Sequence, residues 1–125
     1  MIWLLALSIV TAVPPPPPGV PGYMNGGQFV ALCMAQGPDA EVSSVLCLGY
    51  LVGSVDQLLA REARRSPDRR TICLPAGATA EQVRGAVMTQ LVAHPEAQVH
   101  AAAELIRLSL EAEFPCPGPG EKAKP

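Results

Sequence analysis

Aromatic rings and charge are both scarce in this sequence. Of 125 residues, 4% are aromatic (two Phe, two Tyr and one Trp) and 16% are charged. So few rings exclude a base-stacking platform or a sugar-binding surface. So little charge excludes a disordered acidic or basic chain. Nine Lys and Arg stand against eleven Asp and Glu, a formal net charge of −2, which excludes a general nucleic-acid binder. There are two histidines, His94 and His100, with Pro95 turning the chain between them. Neither has a cysteine or serine at a spacing that suggests a nucleophile, so both are expected at helix boundaries or on the surface. No Gly-rich phosphate loop and no triad pattern occurs, and cysteines at 33, 47, 73 and 116 lack the clustered spacing of a zinc site. The sequence does not look like that of an enzyme, and no cofactor or metal is expected. What it does have is apolar residues, at 49%, enough for one packed domain at this length.

Prolines mark the edges of that domain. Six of the fourteen fall in Pro14–Pro21 and four in Pro115–Pro125. The run Pro14–Pro18 predicts a stiff polyproline II spacer over residues 13–24, and residues 117–125 read as a disordered charged tail. Upstream, Ile2–Ala12 is almost wholly apolar, too short to span a bilayer at about 20 residues. It fits the h-region of a secretory signal over residues 1–12, with Val10-Thr11-Ala12 as the small-residue cleavage site. No lysine or arginine precedes it, which leaves room for a start codon further upstream. No cysteine follows at a lipoprotein position, so the mature chain is expected to be soluble, with no stable membrane insertion.

The folded unit is then 25–116, punctuated by Pro38, Pro67, Pro75 and Pro95. Asn25 and Gln28 make a capping-box pair, followed by Phe29, Leu32 and Cys33 and ended by Gly37-Pro38. Ser43 or Ser44 can cap a second helix running to about Arg65. From Val45 to Val55 it is apolar nearly all round, which predicts a buried central element. Periodicity alone does not exclude a strand there, but the segment's length favours helix. Thr79-Ala80-Glu81-Gln82 is a second capping box, followed by Val83, Val87 and Leu91 at four-residue spacing. Pro95 suits the first turn of a last helix, with Ala102, Ala103, Ile106 and Leu110 facing inward and Glu104, Arg107 and Glu111 outward. The fold class is all-α: a compact four-helix domain.

An even cysteine count behind a secretion signal implies two disulfides. Joining Cys47 to Cys73 would require the short 66–72 segment to carry Cys73 back along a second helix roughly 30 Å long. Cys33 and Cys47 instead flank one helical hairpin, and Cys73 and Cys116 lie at adjacent ends of an antiparallel pair. The expected pairing is Cys33–Cys47 and Cys73–Cys116.

Three further features of the second helix and its exit stand out. Gly49 and Gly53 lie one turn apart, each at a cost of about 1 kcal/mol against Ala. Close backbone approach to a neighbouring helix or to a second subunit would offset that cost. Asp56 reads as a buried, hydrogen-bonded carboxylate. Arg61, Arg64, Arg65, Arg69 and Arg70 against Glu62 and Asp68 give a local +3 on an acidic protein. That is either a solvated helix end whose cations suit the dipole or a projecting basic loop, Arg64, Arg65, Asp68, Arg69 and Arg70, that steers association with an acidic partner.

Cys47-Leu48-Gly49-Tyr50-Leu51-Val52-Gly53 with Asp56, then Cys73-Leu74-Pro75-Ala76-Gly77, His94-Pro95-Glu96 and Phe114-Pro115-Cys116 together resemble the Rap1a/Tai immunity protein family. The resemblance covers most of 25–116. It implies a small, helical, disulfide-bonded periplasmic protein, often a homodimer, with Gly49, Tyr50, Gly53 and Asp56 as helix-packing residues. It implies a partner as well: a peptidoglycan-cleaving amidase effector delivered by a type VI secretion system, its papain-like cleft occluded by the immunity protein. The competing expectation, from a different class, is a small periplasmic acid-stress or chaperone-like helical protein.

Overall fold

A computed structural model describes residues 22–118. The expected signal segment 1–12, most of the expected linker 13–24 and most of the tail 117–125 lie outside the described residues. Within them the chain forms four α-helices: α1 (Gly26–Cys33), α2 (Ala40–Arg64), α3 (Ala80–Ala93) and α4 (Ala102–Glu113). Two short 3₁₀ turns, Pro67–Arg69 and Pro95–Val99, lie in the connections before α3 and α4.

Both capping boxes form. Asn25 accepts from the Gln28 amide while the Gln28 side chain accepts from the Asn25 amide, and Thr79 and Gln82 do the same at the start of α3. Each satisfies two amides that a helix start leaves without partners. α2 begins a turn earlier than a serine cap would place it. Gly37 turns the chain at φ +89°, the Ala40 amide donates to its carbonyl, and Asp39 occupies the cap position without a side-chain hydrogen bond. Pro95 opens a 3₁₀ turn rather than the last helix. The chain then extends through His100 and Ala101, pairing with Asn25 before α4 starts at Ala102.

α3 packs on α4 and α1 on α2, with α4 also against α2. The centre of the core is Phe29, Cys47, Leu51, Val87, Ile106 and Leu110, all essentially free of solvent. Burial of each large side chain contributes about 1.5–3 kcal/mol. On α4 the inward stripe is Ala102, Leu105, Ile106, Ser109 and Leu110. Ala103 faces solvent, which corrects its expected inward position: the stripe's phase runs through Leu105, one position from where an alanine-led reading puts it. Ser109 is tolerated inside because its hydroxyl donates to the Leu105 carbonyl. The disulfides are Cys33–Cys47, joining α1 to α2, and Cys73–Cys116, joining the segment before α3 to the end of α4. Beside the second, Cys73 N–H donates to the Phe114 carbonyl, and Ile72 pairs with Pro115.

α2 departs most from expectation. Of its 25 residues only Cys47, Leu51, Val55 and Glu62 are buried. The helix is a long spine whose inner edge meets the core and whose outer face is bare.

Candidate functional site

That bare face is apolar except at Asp56. Val42, Leu46, Gly49, Gly53, Asp56, Ala60 and Ala63 are all exposed and recur at alternating four- and three-residue steps. This is the spacing of a helix–helix seam, extended over roughly 30 Å of helix at 1.5 Å per residue. Val45, 65% exposed, and Val52 flank it. A Cβ added at Gly49 or Gly53 would meet no atom of the described residues within 4 Å beyond the helix's own backbone. The close approach expected from a neighbouring helix is therefore not made within the described residues. Leu51 sits opposite these glycines and faces the core, so the helix turns its smallest residues outward. Asp56 is likewise corrected: it is exposed on this face, not a buried hydrogen-bonded carboxylate. Tyr50 packs inward, its ring centroid 5.7 Å from that of Phe29.

Beside the seam, a groove of about 190 Å³ lies between α2, the Leu74–Ala78 loop and the start of α3. Leu51, Val55, Leu59, Leu74 and Val83 form its walls, with Asp56 the one charged side chain on its edge. By length and composition α2 is also able to cross a membrane. As folded, its inner edge is instead covered by α1, α3 and α4.

The second surface is the exit from α2. Ser66-Pro67 ends the helix, and the 3₁₀ turn Pro67–Arg69 lifts the chain outward before Thr71 and Ile72 return it to the core. The five arginines of this region have different roles. Arg65 Nη1 donates to the Arg69 carbonyl and lies 3.4 Å from Glu62 Oε1, while Arg70 Nε donates to the Glu62 carbonyl at 3.1 Å. These two guanidiniums build the loop. Arg61 lies close enough to Glu62 and Glu104 to lower both carboxyls. The Arg64 and Arg69 side chains are exposed and make no hydrogen bond or ion pair among the described residues. Asp68 is exposed in the turn between them.

Sequence reasoning passed over Glu62. Read as one anion in a solvated basic run, it is 3% exposed. Its Oε2 accepts from Thr71 N–H at 2.8 Å and from Ile72 N–H at 3.3 Å. Burial pushes this carboxyl upward, but the two amides, with Arg65 and Arg61, outweigh it and hold it below the ordinary carboxylate range. Beyond Thr71, whose hydroxyl donates to Glu111, Arg107 pairs with Glu104 and Glu111 along α4. The hydrogen bond from Arg107 lowers the Glu104 carboxyl in turn. A faint sequence signal existed, since Glu62 lies one turn from Leu58 and two turns from Val55 on the inner edge.

The sequence model of a family described as Rap1a immunity proteins matches residues 25–116. No curated protein and no solved structure matches the chain.

Proposed function

Because the chain belongs to the Rap1a immunity protein family, we propose that it binds and inhibits a peptidoglycan-cleaving amidase effector delivered by a type VI secretion system. The family match over 25–116 carries this conclusion, and the basic loop supplies a contact surface consistent with it. A protein that blocks a cleft needs an element that projects, differs chemically from its surroundings and is dispensable to the core. The turn at Pro67–Arg69 meets all three conditions, with Arg64 and Arg69 free to meet an acidic rim. The protein acts by occupying the cleft and catalyses nothing itself. The apolar segment 1–12 exports it to the periplasm, where the amidase would reach the cell wall and where both disulfides persist. The mature chain is not inserted in a membrane.

The seam on α2 supports a homodimer. Two copies of α2 packed antiparallel, with Gly49 and Gly53 at the crossing, bring Glu41 of one protomer toward Arg61 of its partner. The glycines then permit the close backbone approach that repays their helix cost. Purified protein mixed with candidate cell-wall amidases tests the function directly. Stoichiometric loss of peptide hydrolysis supports it, and undiminished hydrolysis by every candidate amidase rejects it.

A further inference from the structure

Glu62 is the largest commitment of buried charge in the described residues, and core packing does not account for it. Its carboxylate is sealed from water, its Oε2 takes two backbone amides from the far side of the loop, and its own carbonyl takes Arg70. Oε1 makes no hydrogen bond among the described residues; the Arg65 guanidinium, 3.4 Å away, and Arg61 compensate its charge. A single residue thus grips the basic loop at Arg65, Arg70, Thr71 and Ile72. Those contacts leave Arg64 and Arg69 pointing away.

We infer that Glu62 is the positioning residue of the basic loop: its sealed carboxylate fixes the 66–72 backbone so that Arg69 is held beside Arg64, the last residue of α2, toward an acidic partner before contact. The inference rests on the partner-binding role proposed above. Pre-ordering removes the cost of freezing the loop at association, which otherwise subtracts from affinity. It also explains why two of the loop's arginines are spent inward. Arg65, with Arg61 behind it, supplies the counter-charge of the buried carboxylate, and Arg70 ties the loop to the Glu62 carbonyl. The charges that act on it are Arg65, at the cap of α2, and Arg61 on α2, while Arg70 in the loop meets its carbonyl; Glu111 on α4 is one contact further away through Thr71, and Arg107 and Glu104 lie beyond it.

The test uses the full chain, wild type and Glu62→Gln, with hexaglutamate as the acidic probe. Amide exchange at Thr71 and Ile72 is followed from pH 7 to pH 3, with Leu91 and Ile106 as core references. In wild type, protection at Thr71 and Ile72 should fall at least tenfold on acidification, before the core amides change. In Glu62→Gln it should already be about tenfold lower at pH 7, with little dependence on pH. Hexaglutamate should bind the variant several-fold more weakly, although Arg64 and Arg69 are both intact. Equal protection in the two proteins, or loss only in step with Leu91 and Ile106, overturns the positioning role, as does loosened exchange with unchanged probe binding. Should Glu62→Gln not fold, the wild-type pH profile decides alone. Neither exchange nor probe binding depends on the amidase, so failure of that assignment is read separately.

Discussion

Replacing both seam glycines with alanine should push fold stability and self-association in opposite directions. Beyond the helix's own backbone, nothing among the described residues lies within 4 Å of a Cβ built at Gly49 or Gly53, and neither glycine has positive φ. Inside the chain the substitutions therefore bring only the helix-propensity gain, about 0.8–1.0 kcal/mol each. For a domain of this size about 1 kcal/mol shifts the melting temperature by about 4–8 °C, so Gly49→Ala/Gly53→Ala should raise it by roughly 10 °C. That rise is read at protein concentrations low enough for the chain to be monomeric, since pairing would itself add apparent stability. At high concentration, light scattering should show weaker dimerisation, because two added methyl groups on each copy separate the helices at their crossing. Gly53→Leu should abolish pairing while leaving the isolated fold intact. A lowered melting temperature for the alanine pair in dilute solution would mean that something in the chain does pack on those glycines. Unchanged association in Gly53→Leu would remove the seam as an interface.

Three other outcomes follow from the site and the staples. Charge reversal at Arg64 and Arg69 should slow association with an acidic partner by about tenfold or more and flatten its salt dependence. Chemical denaturation should find stability within about 0.5 kcal/mol of wild type, whereas reversal at Arg65 should also disturb the loop, because Arg65 holds it. Serine replacement of both members of each disulfide should cost about 4 kcal/mol for Cys73–Cys116 and about 3 kcal/mol for Cys33–Cys47 on the loop-entropy model, given separations of 43 and 14; an equal or reversed order in urea titrations would reject that account. Acid should destabilise the fold, since the Glu62 and Glu104 carboxyls are held below their ordinary range. Their stabilisation is complete above the unfolded carboxylate pKa of about 4.3 and is lost as pH falls through the lowered folded values. Urea titrations at pH 7, 5 and 3 check this, and an undiminished pH slope in Glu62→Gln/Glu104→Gln would contradict it.

Much of this architecture was legible in the residues because local chemistry decided it. Asn25–Gln28 and Thr79–Gln82 need nothing beyond their own turn to cap a helix, and Val83, Val87 and Leu91 lie on one face wherever the rest of the chain goes. Chain reach, with the expected pairing of neighbouring helices, separated the cysteine pairings. The errors came where burial depends on what lies opposite. α2 is apolar all round between Val45 and Val55, and composition cannot say which side lacks a neighbour. The other three helices cover only its inner edge, which left Val45, Gly49, Val52, Gly53 and Asp56 outside. Glu62 went unseen for the converse reason. Its partners, the amides of Thr71 and Ile72, are backbone groups that carry no side-chain signature. The arginine-rich segment was legible as a loop, but its division into Arg65 and Arg70, which build it, and Arg64 and Arg69, which extend from it, was not.

The most direct measurement is inhibition of a purified type VI amidase effector acting on peptidoglycan peptides, titrated with this protein and with its Arg64→Glu/Arg69→Glu variant. Saturating inhibition at a defined stoichiometric ratio, with slower onset for the variant, is the predicted result. Hydrolysis that continues undiminished at every ratio for each amidase tried would contradict the immunity role. Acid-triggered binding of unfolded proteins by the same preparation would then place the chain among periplasmic stress proteins.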